Sequence, residues 1–122
     1  MTKNEIRTYE DLLIWQKART LVTEVYKLSK SLPVDEQYSL TSQIRRCAVS
    51  IPSNIAKGSG RDSKQGFIRF LRISMGSLFE LQTQIRIALD LKYITQEVYN
   101  FSFNLTKELE RMPSSFIHSI QK

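Results

Sequence analysis

Cysteine and histidine occur once each in this chain of 122 residues, as Cys47 and His118. A single cysteine excludes an internal disulfide and suits a reducing compartment. His118 lies in a polar C-terminal tail and reads as a solvated side chain. Paired with a mid-helix cysteine, it has no spacing that a metal site would need. Glycine is sparse too, with four residues. Gly58-Ser59-Gly60 lacks the Gly-Lys-Ser/Thr ending of a phosphate loop and follows a helix rather than a strand, so it reads as a helix cap and turn. No apolar run approaches the roughly 20 residues of a membrane span. The opening Met-Thr-Lys-Asn-Glu-Ile-Arg has no signal-peptide core, and the expected location is the cytoplasm. Alternating strand patterns and internal repeats are absent. No carboxylate pair falls near the basic residues, Cys47 occupies an apolar helix position, and neither catalysis nor a cofactor is expected.

What the chain does contain is helical periodicity, and the fold class it indicates is all-α. Residues 1–8 read as a polar arm, followed by one domain from 9 to 122. Thr8 and Asp11 form a capping box. Ile14, Ala18, Leu21, Val25 and Leu28 then recur at spacings of four and three, predicting a first helix over about 9–31 that Pro33 ends. Leu40, Ile44, Cys47, Ile51 and Ile55 keep helical spacing across Pro52. This predicts a second helix kinked at the proline, ending near Lys57 with Gly58 as a left-handed cap. Serines 50 and 53 are placed to bond backbone groups freed there.

Asp62 or Ser63 caps a third helix over about 63–91, with Phe67, Leu71, Ser74, Leu78, Leu81, Ile85 and Ala88 as its core stripe. A second apolar stripe on the same helix, Phe70, Ile73, Ile87 and Leu91, faces elsewhere and is expected in a subunit interface, together with Phe103 of the last helix. After a turn at Lys92-Tyr93-Ile94, Thr95 and Glu97 begin a fourth helix over about 95–121. Its expected core is Val98, Phe101, Leu105, Leu109, Met112 and Phe116, with Pro113 bending or breaking its end. Tyr9, Tyr38, Tyr93 and Tyr99 are less constrained and can be exposed. Four amphipathic helices with short links make an up-down-up-down bundle.

Charge is distributed unevenly. The chain carries 18 basic and 12 acidic residues, a net +6. Between Arg45 and Arg72 stand Arg45, Arg46, Lys57, Arg61, Lys64, Arg69 and Arg72 against the single acid Asp62, so this stretch holds the entire excess. Elsewhere acids and bases balance. Five of the seven are arginine, whose planar guanidinium binds phosphate in a bidentate way. Arg45 and Arg46 are consecutive in a helix and cannot both lie on one outward face. Such a cluster can grip phosphates without reading sequence.

The residues Gln43-Ile-Arg-Arg-Cys-Ala-Val-Ser-Ile-Pro-Ser-Asn-Ile-Ala-Lys-Gly58, with Gly60-Arg61 and Gly76-Ser-Leu-Phe-Glu-Leu81, resemble the bacterial four-helix-bundle family named after the 23S rRNA intervening-sequence protein. Leu13-Ile-Trp-Gln-Lys-Ala18 and Leu91-Lys-Tyr-Ile94 add to the resemblance, which spans roughly residues 9–120. The family usually has an acidic residue where this chain has Lys57. The resemblance implies a bundle that assembles into a ring-like homopentamer, and a related branch, the accessory variability proteins of diversity-generating retroelements, binds nucleic acid and partners a reverse transcriptase. The resulting expectation is a non-enzymatic, homo-oligomeric protein that binds nucleic acid, RNA first, through the seven basic residues arrayed as a belt. The rival expectation is a scaffold that docks a polypeptide such as a reverse transcriptase, with Arg45 and Arg46 paired to Glu24 or Glu80 of a neighbouring subunit.

Overall fold

The computed structural model describes residues 7–121, with their side chains to residue 119. Most of the expected polar arm, residues 1–6, lies outside that range. Five helices follow one another: α1 (Leu13–Ser29), α2 (Leu40–Ser59), α3 (Lys64–Asp90), α4 (Gln96–Glu110) and α5 (Met112–Gln121). Among the described residues there is no strand. α1 packs on α2 and α4, and α3 packs on α2 and α4, which closes a four-helix bundle; the α2–α3 contact is the most extensive. No helix among the described residues is long and apolar enough to cross a membrane.

The stripes of α1 and α2 are where the periodicity places them. Ile14, Ala18, Leu21, Val25 and Leu28 are buried, as are Leu40, Ile44, Cys47, Ile51 and Ile55. Each fully buried Leu or Ile contributes on the order of 1.5–3 kcal/mol. α1 begins later than the expected 9, because the Thr8–Asp11 capping box closes a 3-10 turn over Tyr9–Asp11 instead. Leu12 then turns extended and buries its own side chain before the α-helix starts.

α2 runs through Pro52 as one helix. The carbonyls beside the proline are served by side chains. Ser53 Oγ donates to Val49 O at 2.8 Å and Asn54 Nδ2 to Ser50 O at 2.9 Å. From α3, Ser74 Oγ donates to Ile51 O at 3.0 Å, which explains a serine in the bundle core. Ser50 does not serve a backbone group; its hydroxyl meets Ser77 Oγ at 2.9 Å.

Gly58 is not the left-handed cap expected of it. It is buried inside the last turn of α2, and no described glycine has positive φ. A Cβ there would lie 2.8 Å from Phe70 Cβ and 3.2 Å from Phe67 O. Its role is close approach: it lets α2 and α3 touch where they join. Among the described residues the left-handed one is Lys92, at φ 64°. Its N–H donates to Leu89 O and that of Tyr93 to Ala88 O, each at 2.9 Å, closing the end of α3 with the paired bonds of a Schellman turn.

Ser63 caps α3 and Thr95 caps α4, accepting from Gly66 N at 3.0 Å and Val98 N at 3.2 Å. On α3 the buried stripe starts at Ile68 rather than Phe67, which is half-buried. A strict four-three alternation drifts around a 3.6-residue helix, and the drift shows at the end.

The expected core of the last helix is rotated. The buried residues of α4 are Tyr99, Ser102, Thr106 and Leu109, whereas Phe101 is 57% exposed. Val98 and Leu105 are half-buried. Polar Ser102 and Thr106 are tolerated inside because their hydroxyls bond Val98 O and Phe103 O of their own helix, and Thr106 also accepts from Gln82 of α3. Small side chains at that seam let α4 sit close to its neighbours. Tyr99, expected among the exposed tyrosines, is buried; it stacks on Phe103 at 5.1 Å and accepts a hydrogen bond from Arg86. The helix breaks at Arg111, so α5 starts afresh with Pro113 in its first turn, where a missing N–H costs nothing. Phe116 of α5 meets Phe67 edge to face at 5.2 Å.

Candidate nucleic-acid interface

The seven basic residues fall into two groups, one at the start of α2 and one at the α2–α3 junction. Arg45 and Arg46 lie in the second turn of α2. Lys57, Arg61, Lys64, Arg69 and Arg72 surround the α2–α3 junction. Arg46 and Lys57 are separated by about three turns, roughly 16 Å along the axis, and return to nearly the same face of the helix. All but Arg45 are exposed, and Arg45 is half-buried. Ion pairs among the described residues join Lys17 to Glu108, Lys27 to Glu24, Arg86 to Asp90 and Lys107 to Glu110. None involves any of the seven. Among the described residues the positive charge, Lys57 included, is therefore without an ion-pair partner.

The junction group is arranged around an aromatic ring. The guanidinium of Arg61 sits 4.4 Å from the centroid of Phe70, and that of Arg69 sits 6.0 Å from it. Arg61 crosses the first turn of α3 over Gly66, where a Cβ would come within 3.0 Å of Arg61 Cβ. Phe70, assigned from the sequence to a subunit face, is half-buried beneath these two arginines. Phe103, assigned likewise, is half-buried against Tyr99. Ile73, Ile87 and Leu91 do lie on the outward face of α3, each 40–50% exposed, and Phe79 joins them there. Phe79 was missed because it falls off the four-residue stripe.

The Arg45–Arg46 group has partners that no local pattern reveals. Arg45 Nε donates to Ser29 Oγ at 2.8 Å, and Ser29 Oγ donates in turn to Tyr26 O at 2.9 Å. The same guanidinium lies 5.0 Å from the Tyr26 ring. One edge of Arg45 is thus fixed by α1. Arg46 Nη2 donates to Ser42 Oγ at 3.2 Å. Tyr26, Gln37, Tyr38, Thr41, Ser42, Arg45 and Arg46 line an open groove of roughly 510 Å³ between α1, the following turn and α2. The nearby carboxylate of Glu36 is engaged elsewhere, accepting from Leu40 N at 3.3 Å and from Tyr93 Oη at 2.9 Å. Glu36 thereby caps α2 and pushes the Tyr93 hydroxyl above its ordinary pKa. Tyr26, Ser29 and Tyr38 reach this group only through the α1–α2 pairing; the signal available in the chain was Tyr38, one of the four tyrosines outside the apolar stripes.

Cys47 is buried, with Sγ donating to Ser77 O at 2.9 Å and lying 3.6 Å from Glu80 Oε1. Burial, with the Glu80 charge beside it, pushes the thiol up to about 12, so it stays protonated at neutral pH. The neighbouring Arg45 and Arg46 bond Ser29 and Ser42 instead. Among the described residues no group of three or more His, Cys, Asp or Glu side chains is placed to hold a metal ion.

Comparison with known proteins agrees with this architecture. The family model described as 23S rRNA-intervening sequence protein matches residues 10–115. A crystal structure of a protein of unknown function from the S23 ribosomal protein family of Bacteroides thetaiotaomicron is 27% identical and superposes with a TM-score of 0.78, covering 86% of this chain and 98% of that one. No curated protein matches the chain.

Proposed function

The chain belongs to the 23S rRNA-intervening sequence protein family, and from its geometry we propose that it is a non-enzymatic nucleic-acid-binding protein that contacts phosphates, working in the cytoplasm as a homo-oligomer. The observation that carries the reading is the localised charge: seven basic side chains hold the whole net +6 of the protein, and none is ion-paired among the described residues. Arginines held without carboxylate partners are suited to phosphate oxygens. RNA is the first candidate. Repetition around an oligomer, five subunits by the resemblance, would turn two groups per protomer into a continuous belt.

The test is a titration of labelled RNA and DNA at several salt concentrations, with light scattering on the same sample. Affinity that falls steeply with salt is expected, since each neutralised phosphate adds about 0.7 to the slope for single strands. Affinity independent of salt would overturn the reading.

A second reading, a scaffold for a polypeptide partner, is favoured by one observation: Ile73, Phe79 and Ile87 of α3 and Leu91 at its C-cap are apolar side chains left 40–50% exposed. The double substitution Arg45→Gln/Arg46→Gln separates the two. Loss of nucleic acid with the oligomer intact supports the phosphate site; loss of the oligomer supports the scaffold.

A further inference from the structure

We infer that the groove between α1 and the start of α2 takes a single-stranded segment of the nucleic acid, with Tyr38 as a base-stacking platform beside the Arg45–Arg46 phosphate clamp. The inference rests on the nucleic-acid reading above and specifies which form is bound.

Three observations lead there. Tyr38 is 90% exposed, in a protein whose other described aromatics lie at least partly against neighbours. A tyrosine presented this way loses apolar contact with the fold and gains none in return within the protomer. The ring borders the same groove as both arginines. Arg45, moreover, is already oriented: Ser29 holds its Nε edge and Tyr26 lies under its plane, which leaves the terminal N–H groups for a ligand. Arg46 is steadied by Ser42, one turn nearer to Tyr38.

Exposed aromatic rings next to a positive groove are how proteins hold single strands, because every base has a π face and the arginines follow the backbone. In a duplex the base faces are already covered by their neighbours in the stack. The phosphates remain available there, but Tyr38 would gain nothing. Gln37, exposed at the same edge, adds both a donor and an acceptor for a base that has been turned out. The arrangement therefore favours an unpaired segment over a helix of the same charge.

The probe is a fluorescein-labelled single-stranded oligonucleotide, compared with its duplex at the same low salt, against wild-type protein, Tyr38→Ala and Tyr38→Phe. Wild type is expected to prefer the single strand. Tyr38→Ala should weaken single-strand binding by about tenfold, within the range of one lost base stack, and leave duplex binding unchanged. Tyr38→Phe keeps the ring and should retain wild-type affinity. A 2-aminopurine placed in the strand should be quenched by wild type and not by Tyr38→Ala. Because Tyr38 projects into solvent, its replacement leaves the bundle intact, which circular dichroism checks. Equal binding of both forms, with Tyr38→Ala indistinguishable from wild type, would overturn this inference while leaving the phosphate reading standing. Absence of binding to either form would overturn both.

Discussion

Two glycines in helix interiors should respond in opposite directions to the same substitution. Gly58 faces α3, and an alanine Cβ there would stand 2.8 Å from Phe70 Cβ, 3.0 Å from Phe67 Cδ1 and 3.2 Å from Phe67 O. Two of those atoms are tied to the backbone of α3 and cannot swing aside. Gly76 is on the outward face of the same helix and has nothing within 4 Å. Both replacements relieve the intrinsic cost of glycine in a helix, about 0.5–1 kcal/mol. Only Gly58→Ala adds an overpacking cost of about 1–3 kcal/mol. Gly76→Ala should therefore raise stability by about 0.5–1 kcal/mol, and Gly58→Ala should lower it by up to about 2 kcal/mol. The difference between the two variants isolates the packing cost. At about 4 °C per kcal/mol for a domain of this size, it amounts to roughly 4–12 °C in Tm. Thermal unfolding followed by far-UV circular dichroism reads this directly, at one fixed protein concentration because self-association shifts Tm. Melting temperatures that rise together would refute the close approach of α2 and α3 at Gly58. A fall for Gly76→Ala would refute the open face.

Three further outcomes are expected. Lys92→Gly should stabilise the protein by about 0.5–1 kcal/mol in urea unfolding, because φ 64° strains a side chain but not glycine. Cys47 should resist thiol reagents in the native state and react only on unfolding. Its folded pKa is raised from an ordinary value near 9 to about 12, so the stability tied to its neutral form is complete below pH 9 and drains away as pH climbs toward 12, which unfolding midpoints across that range will follow. Finally, Arg45→Gln/Arg46→Gln should reduce the slope of log affinity against log salt by about 1.4 for single-stranded RNA, as two lost phosphate contacts require.

The chain by itself determined the helical class, three N-terminal caps and the place of the charge. Thr8, Ser63 and Thr95 cap because a side-chain oxygen meets an amide two or three residues away, and the stripes of α1 and α2 follow from the same short-range spacing. Net charge is additive along the sequence, so its concentration between Arg45 and Arg72 was legible without coordinates. Tertiary structure decided what depends on two helices meeting. The rotation of α4 that buries Tyr99, Ser102 and Thr106 and turns Phe101 outward is set by which side chains α1 and α3 leave room for; the Ser102 and Thr106 hydroxyls bond carbonyls of their own helix, and Thr106 alone gains a partner across the bundle, Gln82 of α3. Gly58 looks like a cap in a linear pattern and proves to be a contact, since its nearest neighbours lie across the α2–α3 junction. The groove behaves likewise: Ser29 and Arg45 are 16 residues apart, and only the pairing of α1 with α2 brings the hydroxyl to the guanidinium. Local spacing can specify a helix and its face, but the neighbour of that face is a choice made by packing.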